Sequence, residues 1–144
     1  MSTGRKNFHW QDYTLYMAWV VSVVATLGSL YFSEIRGYIP CELCWYQRIM
    51  MYPLSLFLGV ATFCNEKQIK KHVLPLSIFG GAISLFHYLE QKVPGFAAIK
   101  PCTQGVPCSA EYINWLGFIT IPFLALIAFS LITFFMVLTK SRQA

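Results

Sequence analysis

Pro40-Cys41-Glu42-Leu43-Cys44-Trp45-Tyr46-Gln47-Arg48 runs without interruption into the apolar segment 49–64. Two cysteines three residues apart thus stand at the entrance to a stretch that approaches membrane-spanning length. A span needs about 20 residues, and Trp45 and Tyr46 extend this run into the interface. Pro40 favours a helix start close behind it, which puts Cys41 and Cys44 in or near the first turn and on one face. At that separation a disulfide closes with little backbone movement. The unpaired N–H groups and the positive end of the helix dipole stabilise a thiolate there, which suits reversible thiol–disulfide exchange.

Three more apolar segments flank this one, at 13–32, 73–88 and 115–139. The chain of 144 residues is 56% hydrophobic, 17% aromatic and only 12% charged, too little charged surface for a soluble domain of this size. The net charge of +5 does not indicate nucleic acid, because the basic residues are sparse and sit at the ends of apolar runs. The expected fold is all-α, an integral membrane four-helix bundle forming one domain over 1–144. Its spans are expected near 13–32, 46–64, 73–90 and 115–139. Arg5 and Lys6 precede the first run much as in a signal peptide. That run exceeds the about 7–15 residues of a signal-peptide core and lacks a small-x-small cleavage site, so it reads as an uncleaved span.

Lysine and arginine placement sets the expected orientation. Arg5, Lys6, Lys67, Lys70, Lys71, Lys140 and Arg142 fall on one side, against Arg36, Arg48, Lys92 and Lys100 on the other. Both termini and the 65–72 loop are therefore expected in the cytoplasm, and the loops near 33–48 and 89–114 outside it. Trp10, Tyr13 and Tyr16 mark one interface; Tyr31, Tyr38, Trp45, Tyr46, Tyr112 and Trp115 mark the other. A second cysteine pair, Cys102 and Cys108, lies in the later outer loop, where disulfides persist. Cys64 falls at the opposite end of the second span and reads as a buried, inert thiol. Ser77, Gly80, Gly81 and Ser84 offer the third helix a close approach to a neighbour.

Each cysteine of the second pair follows a proline, Pro101 and Pro107, and Gly105 turns the chain between them. Closing so small a ring restrains the unfolded chain by roughly 2–3 kcal/mol, which suits exchange better than bracing. On these residues alone a structural disulfide remains an alternative for either pair. A zinc site would draw on all four cysteines, but CxxC with Cx5C is looser than a double CxxC, and no metal is assigned. Haem attachment needs a histidine where Trp45 stands. Arg48, one turn beyond Cys44 at the membrane boundary, is a functional candidate, with an interfacial anchor as the alternative. His87, followed by Tyr88, Glu90 and Gln91 at the outer end of the third span, suits proton transfer, hydrogen bonding to a bound carbonyl or helix packing.

Four spans, Cys41-Glu42-Leu43-Cys44-Trp45-Tyr46-Gln47-Arg48 at the second, and a cysteine pair before the fourth resemble the DsbB family of disulfide-forming membrane proteins. The short Cys102–Cys108 loop followed by Trp115, Gly117 and Ile121-Pro122 resembles its Gram-positive BdbC branch. The resemblance covers nearly the whole chain. It implies a bacterial multi-pass plasma-membrane oxidoreductase that reoxidises an extracytoplasmic thioredoxin-like thiol oxidase and passes the electrons to a quinone, with menaquinone expected. It further implies that Cys102 receives the partner's thiolate, Cys108 exchanges with Cys41, and Cys44 is released as a thiolate toward quinone, with Arg48 supporting the negative charge. Proteobacterial members often carry glutamate where Gln47 stands and have a longer second loop. His87 and Gln91 both suit the quinone-associated histidine of some members, so both join Arg48 as expected quinone-site residues. A physical reason favours quinone: no side chain stores the two electrons through repeated cycles, and a lipid-soluble carrier removes them. Two other readings are a reductase running in the opposite direction, as in vitamin K epoxide reductase relatives, and a non-catalytic subunit braced by its disulfides.

Overall fold

The computed structural model describes residues 10–39, 41–64, 66–93, 95 and 119–139. They form four long helices: α1 (Trp10–Leu30), α2 (Glu42–Cys64), α3 (Lys70–Lys92) and α4 (Ile121–Leu138). The fold is all-α, as the apolar runs indicate. α1 packs against α2 and α4, and α3 packs against the same two, so the helices form a ring in which each touches two neighbours. Thr14 near the start of α1 shares a 2.7 Å hydrogen bond with Thr139 at the end of α4. Lys70 at the start of α3 donates to the Thr139 carbonyl at 2.7 Å, placing a cation on the negative end of α4. Neighbouring helices therefore run antiparallel.

The interior is narrow and apolar. Leu15, Ala18, Leu54, Leu58, Ala61, Val73, Phe129, Ile132 and Met136 are buried along it. The outside is apolar as well: Val24, Leu56, Phe63, Phe79, Phe134 and Val137 are exposed. A bundle greasy on both faces fits lipid as its solvent. Segment 13–35 and helices α3 and α4 are each long and apolar enough to cross a bilayer. α2 has the length, 23 residues, but is not among these apolar helices, because it carries Glu42, Gln47 and Arg48 in its first two turns. Ser22, Thr26, Thr62 and Thr133 turn their hydroxyls back onto carbonyls of their own helices, so these polar groups are satisfied without water.

The small-residue stripe of α3 does what its spacing suggests. Ser77, Gly80 and Ser84 are buried, and Ser77 shares a 2.9 Å hydrogen bond with Thr133 of α4. A Cβ at Gly80 would fall within the ring of Phe129, whereas one at Gly81 would meet Phe129 Cβ at an ordinary 3.5 Å. Gly80→Val is therefore expected to cost roughly 1–3 kcal/mol by overpacking, with Gly81→Ala close to neutral. Thermal unfolding of the purified variants in detergent checks the contrast.

The first span ends in a π-helical turn, Tyr31–Ile35, with the Arg36 N–H reaching Tyr31 O. Gly37, at φ +68°, stops the helix, and the Tyr38 N–H returns to Phe32 O, closing the end as glycine does in a Schellman motif. This turn positions Ser33 for the site described next.

Candidate active site

Cys41 immediately precedes α2, and its carbonyl accepts the Trp45 N–H at 3.1 Å. Cys41 is therefore the N-cap residue and Cys44 the third residue of the helix. The two sulfurs lie 3.4 Å apart as free thiols in hydrogen-bonding contact. Cys41 is buried and Cys44 half-buried. The sequence expectation of one helix-start pair on one face is thus met in detail.

The Cys41 thiol is held well below the usual thiol range, to about 4. Its hydrogen bond with the Cys44 thiol contributes most; burial opposes the shift, and His87 and the Cys44 backbone N–H favour it. While both sulfurs are free, the negative charge therefore rests on Cys41. Once the Cys41 sulfur is engaged in another bond, only Cys44 is left to carry it.

His87 reaches this pair from α3. Its Nε2 lies 3.6 Å from Cys41 Sγ, and its Nδ1 lies 3.2 Å from Gln47 Nε2. His87, Gln47 and Glu90 are all buried. Glu90 Oε2 has no hydrogen-bond partner among the described residues. His87 and Gln91 do not line the cavity described below. The structure sets His87 against Cys41 and Gln47.

A cavity of about 460 Å³ opens between α1, α2 and α4. Its walls are apolar, from Val20, Val24, Ala25, Leu124, Ala128 and Leu131 among others. Cys44, Gln47, Arg48, Ser29 and Ser33 supply a polar cluster, and the buried Tyr52 hydroxyl lacks a partner among the described residues. Arg48 is fixed by the end of α1 and the π-turn after it: Nε donates to Ser29 Oγ at 2.9 Å, Nη2 to Ser29 O at 3.1 Å and Nη1 to Ser33 Oγ at 3.4 Å. The guanidinium also lies 5.6 Å from the Trp45 ring centroid. A helix-anchored arginine next to a sulfur and an apolar chamber is a site for an apolar molecule with a polar, charge-accepting head.

Gln47 joins the candidate site without having been among the expected site residues. It both lines the cavity and touches His87, so it joins the dithiol side to the cavity side. Its spacing, one turn after Cys44 and beside Arg48, was the available signal. Cys102 and Cys108 lie outside the described residues. Cys64, expected to be buried, is exposed instead: it sits at the last residue of α2, away from the pair.

Comparison with known proteins agrees with this geometry. The family described as "Disulfide bond formation protein DsbB" matches residues 11–139. The chain is 68% identical over 130 residues to "Disulfide bond formation protein C" of Bacillus subtilis (strain 168), covering 90% of this chain and 94% of that one. It is 56% identical over 119 residues to "Probable disulfide formation protein C 1" of Bacillus anthracis, covering 83% and 86%. A "Probable disulfide formation protein" of Coxiella burnetii (strain CbuK_Q154) is 43% identical over 130 residues, covering 89% and 88%. No solved structure matches. With nine-tenths of its length matched and its paired thiols set at the start of α2, the chain belongs to the DsbB family of disulfide bond formation proteins.

Proposed function

We propose that this membrane oxidoreductase takes two electrons at a time from an extracytoplasmic thioredoxin-like dithiol and delivers them to a membrane quinone, menaquinone in particular. The observation that carries this reading is the position of Cys44 and Arg48 on the wall of an apolar cavity, with Cys41 3.4 Å behind Cys44. The residues present fit such a group. The apolar walls suit a prenyl chain, while Arg48, Gln47 and the unpartnered Tyr52 hydroxyl offer donors to carbonyl oxygens. Quinone, when bound, supplies the two-electron acceptor that the side chains lack. The family's role in disulfide formation favours oxidation of the partner over the reverse direction.

The thiol chemistry balances as follows. A partner thiolate attacks Cys102 of a Cys102–Cys108 disulfide, forming a mixed disulfide and releasing the Cys108 thiolate. The partner's second thiol displaces Cys102 and leaves with its own disulfide. Cys108 then attacks Cys41 of the Cys41–Cys44 disulfide, and Cys44 departs as a thiolate beside Arg48. Cys102 resolves the Cys41–Cys108 bond, which restores the outer disulfide and leaves the inner pair reduced. Two electrons and two protons have moved inward, and reoxidation of Cys41 and Cys44 sends them on. Ser29 of α1 and Ser33 of the π-turn hold Arg48 in place before charge develops on Cys44, so the site need not reorganise. All four helices cross the bilayer in this reading, with both termini in the cytoplasm and the two cysteine pairs on the outer face.

Replacing the partner's second thiol removes the group that would displace Cys102, so the partner stays attached at Cys102 once its first thiolate has opened the Cys102–Cys108 disulfide. Non-reducing gels are expected to show a covalent adduct of the two proteins, absent with Cys102→Ala. An adduct that forms equally well without Cys102 would overturn the assignment of that residue.

A further inference from the structure

We infer that the reduced Cys41–Cys44 pair and His87 form a Cys2His site for a thiophilic divalent cation of the zinc class. Three donors from two helices converge here: Cys41 Sγ, Cys44 Sγ and His87 Nε2, all within 4.8 Å of one another. With zinc–sulfur bonds of about 2.3 Å and zinc–nitrogen bonds of about 2.0 Å, tetrahedral angles put two sulfurs roughly 3.7 Å apart and sulfur and nitrogen roughly 3.6 Å apart. The pair of sulfurs at 3.4 Å and the Cys41–His87 separation of 3.6 Å already approximate these edges. This donor set differs from the four-cysteine site that the CxxC and Cx5C spacing disfavours.

The surroundings also suit a metal-bound histidine. A ligating imidazole uses one nitrogen for the metal and donates the other N–H to an acceptor that fixes its tautomer. Gln47 occupies that place at Nδ1, and turning its amide presents the oxygen instead of the nitrogen. Two thiolates, one neutral imidazole and a divalent cation sum to zero charge, which a buried site tolerates far better than an unpaired ion. The fourth position stays open toward water, as in sites with three protein ligands.

Binding replaces the one remaining S–H bond and the hydrogen bond between the sulfurs by two sulfur–metal bonds, adds one nitrogen–metal bond and releases one proton to solvent; no electrons move. The disulfide form has no thiolate to offer and does not bind. The cation therefore captures the protein only in its reduced state and occupies the sulfur lone pairs needed for reoxidation. That regulatory consequence rests on the electron path proposed above, whereas the binding itself does not.

Cobalt(II) is the probe, titrated into the purified full-length protein in detergent without quinone or partner. The reduced protein is expected to show a thiolate-to-cobalt charge-transfer band and tetrahedral d–d bands saturating at one equivalent, both lost on adding zinc. The same preparation oxidised to the disulfide is expected to show neither, a comparison that needs no variant. A Cys102→Ala/Cys108→Ala protein should keep the bands. Loss of an outer-shell partner weakens metal sites roughly 10–100-fold, so His87→Ala, checked for retained helicity, should weaken cobalt binding at least that much. Absence of the bands from reduced protein, unchanged affinity in folded His87→Ala, or bands that follow Cys102 and Cys108 would each overturn the site.

Discussion

Cys41→Ser and Cys44→Ser each lower the rate of partner oxidation by at least about 10³-fold, because a hydroxyl neither forms nor leaves a disulfide. The two sulfurs act as one couple, at 3.4 Å across the first turn of α2. Replacing both is therefore no worse than replacing one, the non-additivity expected of groups that work as a unit. Cys64→Ser serves as the control: its thiol is exposed at the other end of α2, and the rate should hold. Loss of free thiols from a reduced thioredoxin-like protein, followed without oxygen and with menaquinone present, reads all four variants. If the disulfides only braced the outer loops, the same serine variants would lose thermal stability while a reduced partner was oxidised at the normal rate.

Arg48→Leu is expected to raise the KM for a soluble menaquinone analogue by roughly 10–100-fold, the equivalent of losing one hydrogen bond from a charged group. The reactivity of Cys41 and Cys44 toward a thiol reagent should change far less. Arg48→Lys separates this role from simple anchoring at the membrane interface. A lysine ammonium is a single point on a flexible stem, while the guanidinium spans Ser29 Oγ, Ser29 O and Ser33 Oγ at once. Lysine should therefore recover only part of the lost affinity. Full recovery would mean that charge at the boundary is all that position supplies.

The parts of the fold that hydropathy reports were legible in the sequence. Apolar runs locate the helices, because lipid requires every backbone group to be satisfied within a helix and leaves the outer face apolar. Helix ends were less legible. α3 covers Lys70–Lys92, beyond the expected 73–90, since its terminal lysines belong to the helix without contributing apolar surface. α2 begins at Glu42, whereas its apolar run begins at residue 49. The first turns of that helix carry Glu42, Gln47 and Arg48, the polar residues that build the site, and these depress the hydropathy signal. Pro40 and the cysteine spacing supplied the missing information, through capping rather than periodicity.

Within the site, the proximity of Cys41 and Cys44 was readable because both lie in one turn. The pairing of His87 with Cys41 and Gln47 was not, because it depends on how α2 and α3 rotate against each other. The sequence places a histidine near the outer end of α3; only packing chooses between the cavity and the dithiol as its neighbour. The π-turn at Tyr31–Ile35 is similar. Nothing in Tyr31-Phe32-Ser33-Glu34-Ile35 announces it, yet it brings Ser33 within 3.4 Å of Arg48. Such turns interrupt regular helices often at functional sites.

On the proposed path the Cys41–Cys44 dithiol passes two electrons to quinone held against Cys44 and Arg48. Fully reduced full-length protein, in lipid vesicles and without oxygen, is mixed with menaquinone while quinone absorbance and protein thiols are followed together. One quinone should be reduced for each pair of thiols lost, and none by Cys44→Ser. Persistence of the reduced Cys41–Cys44 pair in folded protein beside excess menaquinone would contradict it.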